Sequence, residues 1–531
     1  MSTTVPELDA LSSAQRAFGV AAPAPQRVPA AGDAGAAEPE GGGRSAGRAR
    51  QADLLLQYGV RKFRFVRHHQ VVYAVPVTGG PIARPLRSKG GGGGTGSLRQ
   101  CLIRDYVQAT GRAPSQAALA DAVAALEGNA MDSDVQPVHL RIAADPEEPH
   151  VTWLDLGRPD ALSVCLEPGM WSVTVPSTVA GPLWRRTRLV GELPVPQRCP
   201  GGWEQGMRLL AALLPVRDGA FQLAVAWLLA ALRPDIPRPC AYLSGEQGTG
   251  KSTVGRLLIR LVDGADAHLR SVPKTEDDLA VAASAGWCLG LDNLKSIPAW
   301  LSGSLCRAIT GEAIAKRELY SDDDVLMLAF QRPVLLTGID VGALDGDLAE
   351  RMLPLVLTTI NPAARRTERQ LWAAFAQDHA VILGALLDLA CLVWARMPEA
   401  AEQMTHRPRM ADWGELLWAL DDVTGWKTLD AYLGTQEDLV DDVIDADPVA
   451  TAIQRWSRSG STAWKATTAE LAEQLKPPVV PEDWPKTLAL FSARLVAVAP
   501  ALRARGIDVR SLPRTRAGRS FQITVAHHRS P

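Results

Sequence analysis

The sequence predicts an α/β core, with an α+β region on its amino side and a small domain of helices and a hairpin on its carboxyl side. Three observations predict that core. Residues 240–262 read as a short apolar strand, a glycine-rich loop and a helix: Cys240-Ala-Tyr-Leu-Ser-Gly245-Glu246-Gln247-Gly248-Thr249-Gly250-Lys251-Ser252-Thr253, then Val254–Val262. A second apolar strand closes on an acid in Gly286-Trp-Cys-Leu-Gly-Leu-Asp292-Asn293. A third, Pro333-Val-Leu-Leu-Thr337-Gly-Ile-Asp340, follows it. Short apolar runs bounded by turn residues and separated by helical patterns make an α/β fold.

The 531 residues are enough for about three domains. Formal net charge is −2 and the pI about 6.5, so bulk charge does not announce a nucleic-acid binder, and any such surface must be local. The seven cysteines form no C-x-x-C pair and suit reduced core thiols. The apolar stretch Ala220–Leu232 is too short for a membrane span, and the amino terminus lacks the order of a signal peptide, so a soluble cytoplasmic protein is expected.

Residues 1–50 are rich in Ala, Gly and Pro and are expected to be disordered. Phe63-Arg-Phe-Val-Arg and Val71-Val-Tyr-Ala-Val read as paired strands, and Gly90–Gly94 as a loop before helices at Leu98–Thr110 and Pro114–Leu126. Residues 137–198 are strand-like and complete the α+β region over 51–198. Helices at Gly202–Leu214 and Gly219–Leu232 lead into the core at 239–360. Helical patterns at Arg365–Ala376 and Ala380–Arg396 belong to a bundle over 361–434, and the acidic run 435–448 reads as a solvated linker or helix face.

The loop from Gly245 to Ser252 fits a Walker A P-loop in its strand–loop–helix setting. Glycines let backbone N–H groups turn in around the phosphates of ATP, and the helix N-terminus adds partial positive charge. Lys251 would meet the β- and γ-phosphates, and Ser252 would ligate Mg²⁺. Asp292 fits a Walker B acid, holding Mg²⁺ through water from a strand beside the P-loop strand. Asn293 stands where many ATPases carry Glu. Asn cannot accept a proton but can orient water; Glu246, Asp322, Asp323 and Asp324 are alternative bases, and the sequence leaves the choice open. The Thr337 strand fits a sensor strand lying between the other two, with Thr337 near the γ-phosphate or simply a buried strand end. Arg351 is an arginine-finger candidate or a salt-bridge residue, and Arg365, Arg366 and Arg369 compete with it.

These motifs together resemble superfamily 3 helicases and poxvirus-type primase–helicase ATPases, relatives of AAA+ proteins. More narrowly, the glycine loop, Leu291-Asp-Asn-Leu, Lys316-Arg-Glu-Leu-Tyr-Ser-Asp-Asp-Asp324 and Gln331-Arg-Pro-Val-Leu-Leu-Thr-Gly are similar to ATP-binding proteins of actinobacterial phages and integrative elements. That group usually has Asn at the sensor position, where this chain has Thr337. The resemblance covers about residues 200–400 and implies an ATP- and Mg²⁺-dependent homo-oligomeric ring, hexameric in form, moving on DNA during replication of a mobile element. It also implies that the segment from Thr310, which alternates like a hairpin, grips single-stranded DNA through Lys316 and Arg317. A nucleotide-dependent switch with little turnover, or a small-molecule kinase, are the competing readings.

Residues 449–531 suggest a winged-helix-like domain. Helices are expected at Val449–Ser457, from Ala466 with Thr468 as N-cap, from Pro485 as a DNA-recognition helix, and at Pro500–Arg505. A hairpin with a basic tip follows, and Arg503, Arg505, Arg510, Arg514, Arg516 and Arg519 supply the local positive charge.

Overall fold

The computed structural model describes residues 42–87, 96–264, 269–317, 325–338, 346–361, 363, 365–405, 407–460, 462–513 and 518–525. The chain divides into two compact units. One comprises the described residues to Cys165 with Ser172–Leu193, the other Leu166–Trp171 with the chain from Pro194.

In the first unit, α1 (Gly42–Lys62) leads into an antiparallel hairpin of β1 (Phe63–His68) and β2 (Val71–Pro76), with β3 (Arg84–Pro85) beside β2. Ser97 and Ser115 cap α2 (Leu98–Thr110) and α3 (Gln116–Asn129). These helices pack with α1 around Leu55, Phe63, Leu98, Leu102, Leu119 and Leu126. Residues 42–50, expected in a disordered tail, are instead the first turns of α1. The apolar positions that follow them anchor the helix, and Arg48 pairs with Asp121 at 2.7 Å. Six short strands come next: β4 (Val138–His139), β5 (Ile142–Ala144), β6 (Thr152–Asp155), β7 (Ser163–Glu167), β8 (Met170–Thr174) and β9 (Leu183–Trp184).

The second unit opens with α4 (Gly202–Ala211) and α5 (Asp218–Ala231) and is centred on a five-stranded sheet. Its strands are β10 (Cys240–Ser244), β11 (Leu269–Arg270), β12 (Leu289–Leu294), β15 (Val334–Gly338) and β16 (Met352–Val356). Their order is β11-β12-β15-β10-β16, and every pairing is parallel. Near-continuous apolar runs suit strands covered on both faces, and all of β15 is buried. Thus β12 does not adjoin β10, as the reading of Asp292 had it. Val334–Leu336 of β15 pair with Leu289–Leu291 on one side, and Leu335–Thr337 pair with Ala241–Leu243 on the other. The expectation that the Thr337 strand lies between the other two is met.

Around the sheet run α6 (Lys251–Asp263), α7 (Glu276–Ala285), α8 (Ala299–Thr310), the hairpin β13 (Ala313–Arg317) and β14 (Val325–Ala329), and α9 (Gly346–Ala349). The two helices expected at 365–396 are one, α10 (Glu368–Gln403), because Gln377, Asp378 and His379 contain no breaker and Thr367 starts the helix with a capping box. This is the one described helix long and apolar enough to cross a membrane, and most of its apolar window is buried inside the protein. After α11 (Ala411–Thr424), the acidic run is no linker: it belongs to α12 (Thr428–Ala446). Tyr432, Leu439 and Ile444 are buried, while Glu437, Asp438, Asp441, Asp442 and Asp445 are exposed; Asp447, buried, caps the next helix.

The last 80 or so residues fold as α13 (Pro448–Ser457), β17 (Ala463–Thr467), α14 (Thr468–Gln474), α15 (Leu488–Ala504), β18 (Ile507–Ser511) and β19 (Ser520–Val525). The strands form an antiparallel sheet in the order β17-β19-β18. Strand β17 takes up Ala466 and Thr467, where a helix was expected to begin, and Thr467, not Thr468, is the N-cap of α14. Pro500 lies inside α15, so the expected third and fourth helices are continuous. All seven cysteines are buried and unbridged.

Candidate functional site

The polar groups around the glycine loop converge at the carboxyl edge of the parallel sheet. Strand β10 ends at Ser244, and residues 245–250 turn the chain onto α6 with φ of 142° at Gly245 and 85° at both Gly248 and Gly250. A Cβ at Gly245 would come within 3.0 Å of the Leu357 carbonyl oxygen and 3.2 Å of Thr249 Oγ1, so the turn needs glycine there. Thr249 is buried and donates to the Glu246 carbonyl at 2.9 Å, which closes the loop; Glu246, Gln247 and Gly248 are exposed on its rim. Lys251 Nζ lies over the loop, donating to the carbonyls of Gly245 at 2.7 Å and Glu246 at 2.8 Å. Helix α6 has Gly250 as its N-cap and no side-chain cap, whereas α2, α3 and α7 spend Ser97, Ser115 and Thr275 on theirs. The N–H groups of Lys251, Ser252 and Thr253 therefore remain open to an anion.

The acid reaches this loop although its strand is not adjacent. Ser252 Oγ donates to Asp292 Oδ1 at 2.8 Å, and Thr337 Oγ1 donates to the same oxygen at 2.5 Å. Asn293 N–H donates to Thr337 Oγ1 at 3.0 Å. A bulge in β12 makes this possible. Leu291 faces Leu336 and Leu294 faces Gly338, so β12 spends one residue more than β15 over the same length. Asn293 takes up that residue with φ of 57°, a left-handed conformation that Asn tolerates better than most side chains. Gly338 lets the bulged strand close, since a Cβ there would lie 2.8 Å from the Leu294 carbonyl oxygen.

Two choices that the sequence left open narrow in this light. Thr337 is buried and its hydroxyl is engaged on both sides, so it positions Asp292 rather than reaching outward. Neither the positive φ at 293 nor the threonine–aspartate bond has a signature in the sequence; the only hint was Asn in place of Glu. Arg351 lies at the opposite, amino edge. Its carbonyl accepts from Cys240 N–H at 2.7 Å, and its guanidinium pairs with Asp347 at 2.5 Å. Arg365, Arg366 and Arg369 are exposed and follow the carboxyl end of β16, on the side of the glycine loop. Beside them Glu368 pairs with Arg256 of α6 at 3.1 Å.

Strands β13 and β14 pair antiparallel from Ala313↔Ala329 to Arg317↔Val325, so the expected hairpin exists. Lys316 and Arg317 end its first strand; their side chains, and Asp322, Asp323 and Asp324, lie outside the described residues.

In the last domain Arg514 and Arg516 likewise lie outside the described residues. Arg519 donates to Ser511 Oγ at 3.2 Å and sits over Phe521, 5.4 Å from the ring centroid. The remaining arginines expected to form a basic surface each meet a carboxylate within the chain. Arg503 and Arg510 both pair with Asp508, and Arg505 pairs with Asp441 at 2.7 Å. Helix α15, expected as the recognition helix, exposes mostly apolar residues, Leu488, Ala489, Leu490, Ala493, Val496, Ala497 and Ala504; its exposed Arg503 is paired with Asp508 and its half-buried Arg494 with Asp447.

Residues 210–442 match the family described as actinomycete integrative conjugative element replication protein, and residues 449–530 match the C-terminal domain described for the same RepA family. Both matches support a replication-related role on a mobile element. No curated protein matches the chain. Among solved structures, the apo NrS-1 C-terminal region is 11% identical, with 90% of this chain and 100% of that chain covered and a TM-score of 0.36. JCV helicase is 12% identical, with 45% and 64% covered and a TM-score of 0.24. Both TM-scores are low.

Proposed function

We propose that this chain is an ATP-binding and ATP-hydrolysing DNA helicase or translocase that acts in replication of a mobile genetic element. The single observation that carries the reading is the 2.8 Å bond from Ser252 to Asp292, between an uncapped helix N-terminus and an acid on a non-adjacent strand. A hydroxyl and a carboxylate brought together beside a cationic, glycine-lined loop are the donor set for Mg²⁺ and a triphosphate.

In this reading residues 245–253 hold the phosphates, Lys251 leaves its loop carbonyls for the β- and γ-phosphates, and Ser252 and Asp292 hold Mg²⁺. The ion, when bound, neutralises charge on the phosphate oxygens. Thr337 and the Asn293 backbone keep the Asp292 carboxylate in place, and the Asn293 side chain, exposed beside it, orients water. An arginine supplied to a neighbouring subunit comes from Arg365, Arg366 or Arg369, since Arg351 is bonded at the far edge. The β13–β14 hairpin presents Lys316 and Arg317 to single-stranded DNA in the channel of a homo-oligomeric ring, and Arg514, Arg516 and Arg519 add contacts from the last domain. The order helix, strand, helix, helix, strand, strand supports the winged-helix reading of that domain. Similarity to superfamily 3 helicases, a hexameric ring and a cytoplasmic location complete the proposal.

Turnover of ATP with and without single-stranded DNA, beside a sizing run, tests it. DNA-stimulated hydrolysis by an oligomer is expected; a DNA-independent rate together with silent Lys316 and Arg317 substitutions overturns the helicase. One observation favours a second reading, a nucleotide-dependent switch or assembly factor with little turnover: position 293 offers no proton acceptor. Tight ATP binding and nucleotide-dependent assembly without hydrolysis would identify it.

A further inference from the structure

We propose that the last domain carries a separate surface for single-stranded nucleic acid, built on the tilted, touching pair Trp456 and Trp464. Helix α13 ends at Ser457 and β17 begins at Ala463, so Arg455, Trp456, Arg458, Trp464 and Lys465 flank one short turn. The two indole centroids are 5.2 Å apart with 33° between ring planes. Both side chains pack against the domain core and remain partly exposed. Trp464 registers with Ile523 in the core-facing row, while Lys465 registers with Gln522 and Gln522 with Arg510 in the outward row.

Exposed cations without a carboxylate partner flank the pair. Arg494, Arg503, Arg505 and Arg510 of the same domain each meet a carboxylate. Arg455, Arg458 and Lys465 are exposed and, among the described residues, pair with none. Arg455 and Arg458 stand beside the indole pair, with Lys465 next to Trp464 in sequence but in the outward row; Lys476, Lys486 and Arg519, also exposed and without a carboxylate partner among the described residues, lie elsewhere in the domain. Single strands are bound by this chemistry: cations follow the phosphates and each base lays a π-face on an aromatic ring. A duplex hides its base faces, so the platform selects an unpaired strand. DNA and RNA share these groups.

The surface stands apart from the ATPase reading, so its test uses the full chain without nucleotide or Mg²⁺. Labelled oligothymidylate and oligouridylate of about fifteen nucleotides, and a duplex of equal length, are titrated by fluorescence anisotropy. Trp456→Leu and Trp464→Leu should each weaken single-strand binding roughly ten-fold, with Trp→Phe at either position restoring most of it. Arg455→Glu, Arg458→Glu and Lys465→Glu combined should weaken binding and flatten its salt dependence. The same ratios should persist when Lys316 and Arg317 are replaced by Ala, which separates this surface from the hairpin, and in Lys251→Ala, which separates it from the nucleotide reading. The oligomer bound better, deoxy or ribo, identifies the sugar. Unchanged affinity in Leu variants that melt like the parent would overturn the proposal, as would an unchanged charge variant or equal duplex binding. Should a Leu variant fail to fold, the charge variant decides, because its three side chains are exposed.

Discussion

The two edges of the parallel sheet are made by the same strands, and they differ in what the backbone and the polar groups do. At the carboxyl edge Gly245, Gly250 and Asn293 hold positive φ, and the hydroxyls of Ser252 and Thr337 point to one carboxylate oxygen. At the amino edge the polar groups are shut in. Arg238 is fully buried, bonds the Ile236 carbonyl at 2.8 Å, and lies 5.5 Å from the Trp287 ring centroid; Arg332 lies 5.4 Å from the same ring. Burial pushes the Arg238 guanidinium down to about 10. Trp287 Nε1 donates to the Ala231 carbonyl at 2.9 Å, and Asp263 accepts from the N–H groups of Trp287 and Cys288. Local strain held by the surrounding structure marks a working edge, whereas cations packed on an aromatic ring with backbone partners mark a clamp.

Substitutions at each edge break this contrast if it is wrong. The largest expected effect is on stability. Trp287→Ala should lower unfolding free energy by about 3–5 kcal/mol in a denaturant titration, with ATP affinity of the folded protein unchanged. A parallel loss of ATP affinity would show the edges to be coupled. Lys251→Ala should do the reverse, weakening a fluorescent ATP analogue on the order of 100-fold while melting like the parent.

How far the sequence carried this contrast depends on what each feature requires. The glycine loop and Asp292 were legible because phosphate and metal binding restrict residue types at fixed spacing. Strand order was partly legible: the place of the Thr337 strand followed from the motif order, but the reading of Asp292 still put its strand against β10. The bulge at Asn293 was not legible, since φ at one residue is set by pairing with a strand more than forty positions on. Of the two readings of the acidic run, linker or solvated helix face, the helix face holds, and what decides it is the burial of Leu439 and Ile444 among the charges. The arginines near the carboxyl terminus misled through their partners. Asp441 becomes a neighbour of Arg505 only on folding, and Asp508, close in sequence, is shared by Arg503 and Arg510 through side-chain directions the sequence does not set.

Smaller effects sharpen the comparison. Thr337→Val, which removes the hydroxyl held between Asp292 and Asn293, should raise the Mg²⁺ concentration needed for tight ATP binding by about 10–100-fold, with Thr337→Ser close to the parent. A mere packing role would change melting and leave the Mg²⁺ requirement alone. Asn293→Ala should cost about 1 kcal/mol and Asn293→Gly less, by the left-handed backbone at that residue. His379, buried in α10 against Phe375, gives a pH effect and none at neutrality. Burial, with a smaller contribution from Arg260, lowers its folded pKa to about 4. The folded state stays neutral while the unfolded state takes up a proton below its ordinary pKa of about 6.5. Stability is therefore whole above that value and falls as pH drops toward 4, by up to about 1.4 kcal/mol per pH unit. His379→Phe should flatten that fall in melts across the same range.

The most direct test of the central claim is the affinity of a fluorescent ATP analogue with and without Mg²⁺, in the parent and in Asp292→Asn. If Ser252 and Asp292 hold the ion, Mg²⁺ tightens binding to the parent and hardly changes binding to the variant. Equal tightening in both proteins would contradict the account.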